Sequence, residues 1–243
     1  MQIIDHAEGR ASAPPSSVRL HTDLYQGTDE WIAARCGMLT ASEMGLILTP
    51  TLKAARNERE RAHLYELLAQ RVTRYVEPRY IGDDMLRGQE DEVEALILYA
   101  KHYAPTEAVG FVTNDKWGFT LGYSPDALAG SDGLVEVKSR RQKFQVETFI
   151  VHVAAGTIPA DFLIQIQTGL LVSERAWCDL VSYSGGLPMA VIRTYPDDVV
   201  QAAILSAAGD FEDRLTKAKA AYFDAVATSK AIPTKRINRE IIL

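Results

Sequence analysis

Between Leu134 and Ser139 the chain reads Leu-Val-Glu-Val-Lys-Ser, and this run limits the architectures open to it. Val135 and Val137 lie two apart, at strand period, so Glu136 and Lys138 project together from the opposite face. A carboxylate and an ammonium on a strand lining the core are costly unless they are paired or used. Upstream stands Ser124-Pro125-Asp126, followed by the segment Ala127 to Gly133, whose Gly130, Asp132 and Gly133 are turn formers. A reversal there brings Asp126 beside Glu136. Two carboxylates and a lysine converging on one spot suit a divalent metal bound to phosphate oxygens. The bland alternative is a Pro-Asp turn beside an ordinary Glu136–Lys138 ion pair.

The flanking pattern predicts an α/β fold with a central mixed β-sheet flanked by helices. Helices are expected from Thr28 to Arg35, from Thr40 to about Leu48, from Ala54 to Tyr75, and from Arg87 to Tyr103. Others are expected at Val146–Ala155, Ala160–Ser173 and Asp197–Thr228. Thr40 with Glu43 three residues on has the form of a capping box. Strands are expected at Ala108–Thr113, Gly118–Tyr123, Leu134–Ser139, Trp177–Tyr183 and Met189–Tyr195. In the fourth helix Val93, Leu96, Ile97 and Ala100 form an apolar stripe at helical spacing, and Glu92 borders it. Residues 1–17, rich in Ala, Ser and Pro, read as a loose N-terminal arm without a secretory signal, leaving 18–243 as one domain.

Composition bounds the rest. At 47% hydrophobic, 243 residues are ample for one core, and no apolar run approaches a membrane span. Cys36 and Cys178 have no metal-ligand or redox spacing, and the five histidines carry no zinc pattern, which fits a reducing cytosol. The net charge of −6 argues against a broadly basic nucleic-acid surface. Positive charge clusters locally, however, at Lys138, Arg140, Arg141 and Lys143 just after the core strand.

Pro125-Asp126 with Glu136-Val137-Lys138 resembles the core motif of the PD-(D/E)XK nuclease superfamily. More narrowly, the chain resembles the lambda-type phage exonucleases of the YqaJ viral recombinase family. That likeness rests on this motif and three further blocks. They are Tyr25-Gln26-Gly27-Thr28-Asp29-Glu30-Trp31 running on to Arg35 and Ser42-Glu43, then Gly88-Gln89-Glu90-Asp91-Glu92, and Gln165-Ile166-Gln167. The resemblance implies a restriction-endonuclease-like core and a metal-dependent 5′→3′ exonuclease acting on double-stranded DNA ends. Asp126, Glu136 and Lys138 would be catalytic. Glu92, Asp126, Glu136 and the Val137 carbonyl would hold Mg²⁺ or Mn²⁺, as a pair of ions in each site. Arg35, Ser42, Ser124 and Gln167 would bind the terminal 5′-phosphate, and Met85 would wedge open the duplex end. A ring-shaped homotrimer, a single-strand annealing recombinase as partner, and phage or prophage origin in a bacterial cytosol also follow from the resemblance. The family's minor-groove arginine has no clear counterpart, since Thr49-Pro50-Thr51-Leu52-Lys53 offers only Lys53. Two other readings remain open: an endonuclease of restriction or repair type, and a catalytically silent DNA-end-binding subunit.

Overall fold

The computed structural model describes residues 17–78 and 82–236, with backbone alone for 83–85. Strand β1 (Val18–His21) leads through a turn to α1 (Asp29–Arg35), where Thr28 Oγ1 accepts the Trp31 N–H, a side-chain N-cap. The short β2 (Leu39–Thr40) runs through one 3₁₀ turn, Ala41–Glu43, into α2 (Met44–Ile47). The capping box expected at Thr40 does not form. Thr40 instead donates to Glu43 Oε2 at 2.7 Å and receives Arg35 Nη2 at 3.3 Å, so its hydroxyl is engaged by side chains.

Asn57 caps the long helix α3 (Glu58–Thr73), which therefore starts later than the sequence pattern implies. After α4 (Asp83–His102) come β3 (Thr106–Glu107), β4 (Phe111–Asn114), β5 (Leu121–Tyr123), β6 (Ala127–Ala129) and β7 (Gly133–Ser139). The reversal between β6 and β7 uses Gly130 at φ 58°, a left-handed conformation that suits glycine. A short helix α5 (Gln142–Glu147) continues as a π-helical stretch, Thr148–Val153, before α6 (Ala160–Ser173). The chain then forms β8 (Trp177–Tyr183), β9 (Ala190–Thr194) and the 31-residue α7 (Asp198–Thr228), capped by Asp197.

The strands make two mixed sheets, ordered β1-β4-β5-β2 and β3-β6-β7-β8-β9. Ser124-Pro125-Asp126 is the bridge between them, leaving the first sheet at β5 and entering the second at β6. Helices cover both faces of the second sheet. On one side Leu134 and Leu180 pack in the large core with Ile166 and Leu170 of α6 and with Ile204 and Phe211 of α7. On the other, Val135, Val137 and Val181 pack with Ala95 and Tyr99 of α4. That contact corrects the expected α4 stripe: Val93 is 58% and Ile97 56% exposed, while Ala95 and Tyr99 are fully buried. The helix turns this way because the Tyr99 hydroxyl donates to buried Asp179 of β8 at 2.6 Å, a polar partner the apolar pattern does not register.

Candidate active site

The site forms where β7 loses its neighbour. β6 pairs with β7 only from Gly133 to Val135, whereas β8 stays paired through Ser139. On the edge so released, the Val137 N–H donates to Asp126 Oδ2 at 2.6 Å. A residue's N–H and C=O leave a strand on the same side, so the Val137 carbonyl faces this edge as well.

Glu136 is 1% exposed and its carboxylate is fully engaged. Oε2 accepts the Tyr123 hydroxyl at 2.7 Å, while Oε1 accepts Lys138 Nζ at 2.6 Å and Gln165 Nε2 at 2.5 Å. Lys138 Nζ also reaches Gln165 Oε1 at 3.2 Å, closing a three-residue ring of polar contacts. Tyr123 comes from β5 in the other sheet. Its ring lies against Gly169 of α6, where an added Cβ would stand 2.7 Å from the ring. Only glycine lets the tyrosine cross the core to Glu136.

The electrostatics show an excess of acid. Burial, then the charge of Glu136, raises the Glu92 carboxyl above its ordinary value against the pull of Lys138. Asp126 is raised well above its own by burial, then by Glu136 and Glu92; Lys138 and the Val137 N–H oppose this. Burial acts to lower Lys138, but Glu136, Asp126 and Glu92 outweigh it and hold the group as an ammonium above its usual range.

A second constellation sits at the first-sheet end of the bridge. Arg35 Nη1 donates to Ser124 Oγ at 3.1 Å, and Trp31 Nε1 donates to the same oxygen at 3.0 Å. The guanidinium stacks 4.2 Å over the Trp31 ring, which fixes its plane. Thr40 links Arg35 to Ser42, at 3.3 Å from each. Arg35, Ser42 and Ser124, separated by up to 89 residues in sequence, thus meet around one spot.

The contacts of Gln167 lie elsewhere. It is 1% exposed, donates to the Tyr195 carbonyl at 2.8 Å and accepts the Asp197 N–H at 2.9 Å, pinning the entry to α7. Its apolar neighbours Leu163, Ile164, Leu170 and Leu171 point to a core-facing amide, and the polar site takes Gln165 instead. Tyr123, Trp31 and Thr40 were also missed. Trp31 lies inside a block singled out in the sequence, whereas no local signal marks a tyrosine whose partner is in another sheet. The proposed wedge, Met85, has a side chain outside the described residues.

The candidate ligands Glu92, Asp126 and Glu136 and the Val137 carbonyl offer oxygen alone, the donor chemistry of Mg²⁺ or Mn²⁺ rather than zinc. Among the described residues no three Asp, Glu, His or Cys side chains close on one point. Asp126 is turned to the Val137 N–H, and Glu136 to Tyr123, Lys138 and Gln165, so a cation would have to draw these two off their donors. Burial and the neighbouring carboxylates raise the proton affinities of Asp126 and Glu92, as expected of acids gathered with too little positive charge, and in this sense the residues fit the ion.

Asp at the sheet bridge and Glu-Val-Lys on the adjoining strand edge, within a mixed α/β fold, define a PD-(D/E)XK nuclease core. Comparison with known proteins narrows the class. Residues 30–176 match the YqaJ-like viral recombinase domain, and the chain belongs to that family. A solved alkaline exonuclease from Laribacter hongkongensis, LHK-Exo, is 29% identical, with TM-score 0.71 over 82% of this chain and 98% of its own. Its complex with dAMP compares at 30% identity and the same TM-score. A phage related exonuclease from Haemophilus somnus 129PT shares the fold at 12% identity and TM-score 0.50, over 74% of this chain and 95% of that one. A comparison with curated proteins gives no match. Among the described residues no helix is long and apolar enough to cross a membrane.

Proposed function

We propose that the protein is a metal-dependent 5′→3′ exonuclease. It would digest one strand of linear double-stranded DNA from 5′-phosphorylated ends, release mononucleotides, and serve phage-type homologous recombination. The observation that carries this reading is the bridge itself. Ser124, in the phosphate-gripping cluster, and Asp126, in the carboxylate cluster, are separated by Pro125 alone. Two residues reach at most about 7 Å, so an anchored 5′ end sets its first linkage over the carboxylates. That geometry supports removal of one nucleotide at a time.

Glu92, Asp126, Glu136 and the Val137 carbonyl would hold Mg²⁺ or Mn²⁺, whose charge polarises the scissile phosphate and acidifies the attacking water. Lys138, kept as an ammonium by its carboxylate neighbours, stabilises negative charge developing on the phosphate oxygens. Gln165 and Tyr123 hold Glu136 in place. Arg35 presents a planar fork to the terminal phosphate, with Ser42 and Ser124 adding hydroxyl donors.

In the same reading the enzyme works as a ring-shaped homotrimer in a host cytosol, beside a single-strand annealing protein. The exposed apolar line of Leu86, Val93 and Ile97 along α4 is the kind of surface that assembly covers. Light scattering should give three times the 26.8 kDa chain mass, and a monomer would remove the ring.

The test of function uses a linear duplex labelled at each end, incubated with Mg²⁺ or EDTA, beside a covalently closed circle. Mg²⁺-dependent release of 5′-terminal mononucleotide with the circle untouched is expected. Nicking of the circle would favour an endonuclease, and binding without cleavage a silent end-binder.

A further inference from the structure

Arg140 and Arg141, which follow β7, have no role in the chemistry above, yet they line a cavity. With Gln142, Ser184 and Gly185, and with Arg87 and Asp91 of α4, they surround a volume of about 480 Å³. The cavity adjoins the carboxylate site on both elements. Arg140 lies two residues beyond Lys138 on the chain, and Asp91 immediately precedes Glu92 on α4.

Its charge is net positive. Asp91, the one acid in the lining, is already engaged, accepting Ser139 Oγ at 2.5 Å and lying 3.9 Å from Arg87 Nε. Arg140 is held in a set orientation. Its guanidinium carbon lies 5.0 Å from the centroids of both the Phe144 and Phe162 rings, and its backbone N–H donates to the Tyr183 carbonyl at 2.6 Å. Phe162 also carries Lys138, whose Nζ is 5.5 Å from the same centroid, so one ring spans the active-site lysine and the cavity arginine. Arg140 Nε is buried without a hydrogen-bond partner among the described residues, a costly arrangement for a donor with no use. A guanidinium held by two rings loses little freedom on gripping an anion.

We propose that this cavity binds the backbone phosphate next along the digested strand, on the 3′ side of the scissile linkage. The inference rests on the exonuclease reading and extends it. The anchor at Arg35 and Ser124, the carboxylates, Lys138, and then Arg140 with Arg141 and Arg87 form a continuous order along the two elements and the bridge. A strand fixed at its 5′ end and cut over Glu136 and Lys138 runs on over the arginines. The contact is to phosphate, so it positions the strand without reading its sequence.

The test compares two 5′-phosphorylated linear duplexes with Mg²⁺. In one the second linkage of the digested strand is a phosphate; in the other it is an uncharged methylphosphonate. Single-turnover release of the first mononucleotide is followed for the wild type, Arg141→Gln and Arg87→Gln. The neutral linkage is expected to slow the wild type by about tenfold, the loss of one charge-assisted contact. The variants should be slower on the normal duplex and lose little more on the neutral one. The slope of log binding constant against log salt should become shallower by about one per contact removed. Equal wild-type rates on the two duplexes would overturn the proposal, and that comparison needs no variant to fold. Equal further slowing of the variants by the neutral linkage would overturn it too. If the wild type releases no 5′-mononucleotide from the unmodified duplex, the exonuclease reading itself fails, and this inference falls with it.

Discussion

Tyr123→Phe isolates the contact that joins the two sheets at the active site. It removes one oxygen and leaves the ring packed against Gly169, so apolar burial is unchanged. What is lost is a 2.7 Å bond to Glu136 Oε2, with both residues 1% exposed. A hydrogen bond to a charged group contributes about 2 kcal/mol, and water cannot readily replace a donor at this depth. In a chain of 243 residues that corresponds to a melting temperature lower by about 4–8 °C. Glu136 would keep Lys138 and Gln165 on Oε1 but could swing about that oxygen. Loss of a residue that orients a metal ligand typically weakens metal binding by about 10–100-fold. The Mg²⁺ concentration giving half-maximal cleavage should therefore rise by about that factor, while the preference for 5′-phosphorylated ends that we propose for the Arg35 cluster should stay put. Differential scanning calorimetry and a Mg²⁺ titration of mononucleotide release make the two measurements. A variant with wild-type melting temperature and wild-type Mg²⁺ requirement would show that the tyrosine does not hold Glu136.

Asp126→Asn should abolish cleavage yet stabilise the metal-free protein. Burial, Glu136 and Glu92 raise the Asp126 carboxyl, so the stability it contributes is present below the ordinary carboxylate range and lost as pH rises through its raised folded value. Without divalent ions the variant should melt above wild type near pH 8, and the advantage should shrink as pH falls toward about 4. A lower melting temperature at both would refute the electrostatic argument. Arg35→Ala should cut the preference for 5′-phosphate over 5′-hydroxyl ends by about tenfold or more, read as the ratio of initial rates; an unchanged ratio would misplace the pocket. Gln167→Leu should leave that ratio alone. It should instead lower stability by about 2 kcal/mol in urea unfolding, because the Tyr195 carbonyl and Asp197 N–H lose their partner. A changed end preference would return Gln167 to the phosphate pocket.

Periodicity made much of this fold legible. Ala160–Ser173 and Trp177–Tyr183 have the bounds the pattern predicts, and the core strand begins one residue early, at Gly133. Each carries enough regular burial for tertiary context to agree with local preference. Short elements were not legible, because strands such as β2, β3 and β6, two or three residues long, give no period to detect. The expected turn segment after Asp126 is a strand as far as Ala129, and the reversal is confined to the glycine-bearing residues beyond it. The phase of α4 was misread because its buried side is set by Tyr99 meeting Asp179, a polar contact 80 residues away in sequence. Gln165 and Gln167, two apart on a helix, point to different sides. The apolar residues around Gln167 were the available clue that it belongs to the core.

The bridge explains why these parts belong together. β5 delivers Tyr123 into the core and Ser124 to the arginine side, and after Pro125 the chain delivers Asp126 to the edge of β7. Each step is pinned from outside the bridge. Glu136 takes the Tyr123 hydroxyl, Trp31 and Arg35 donate to Ser124, Gln26 Nε2 donates to the Pro125 carbonyl at 3.0 Å, and the Val137 N–H donates to Asp126. Four consecutive residues thus carry contacts to α1, the turn before it and β7. A segment held at every residue cannot lengthen without breaking several of these bonds, so the separation between the Arg35–Ser124 cluster and the carboxylates is a property of the fold. Catalysis depends on placing the reacting linkage to within fractions of an ångström. In the proposed reading that placement would be set by covalent connection through a single proline, rather than by two independently mobile loops.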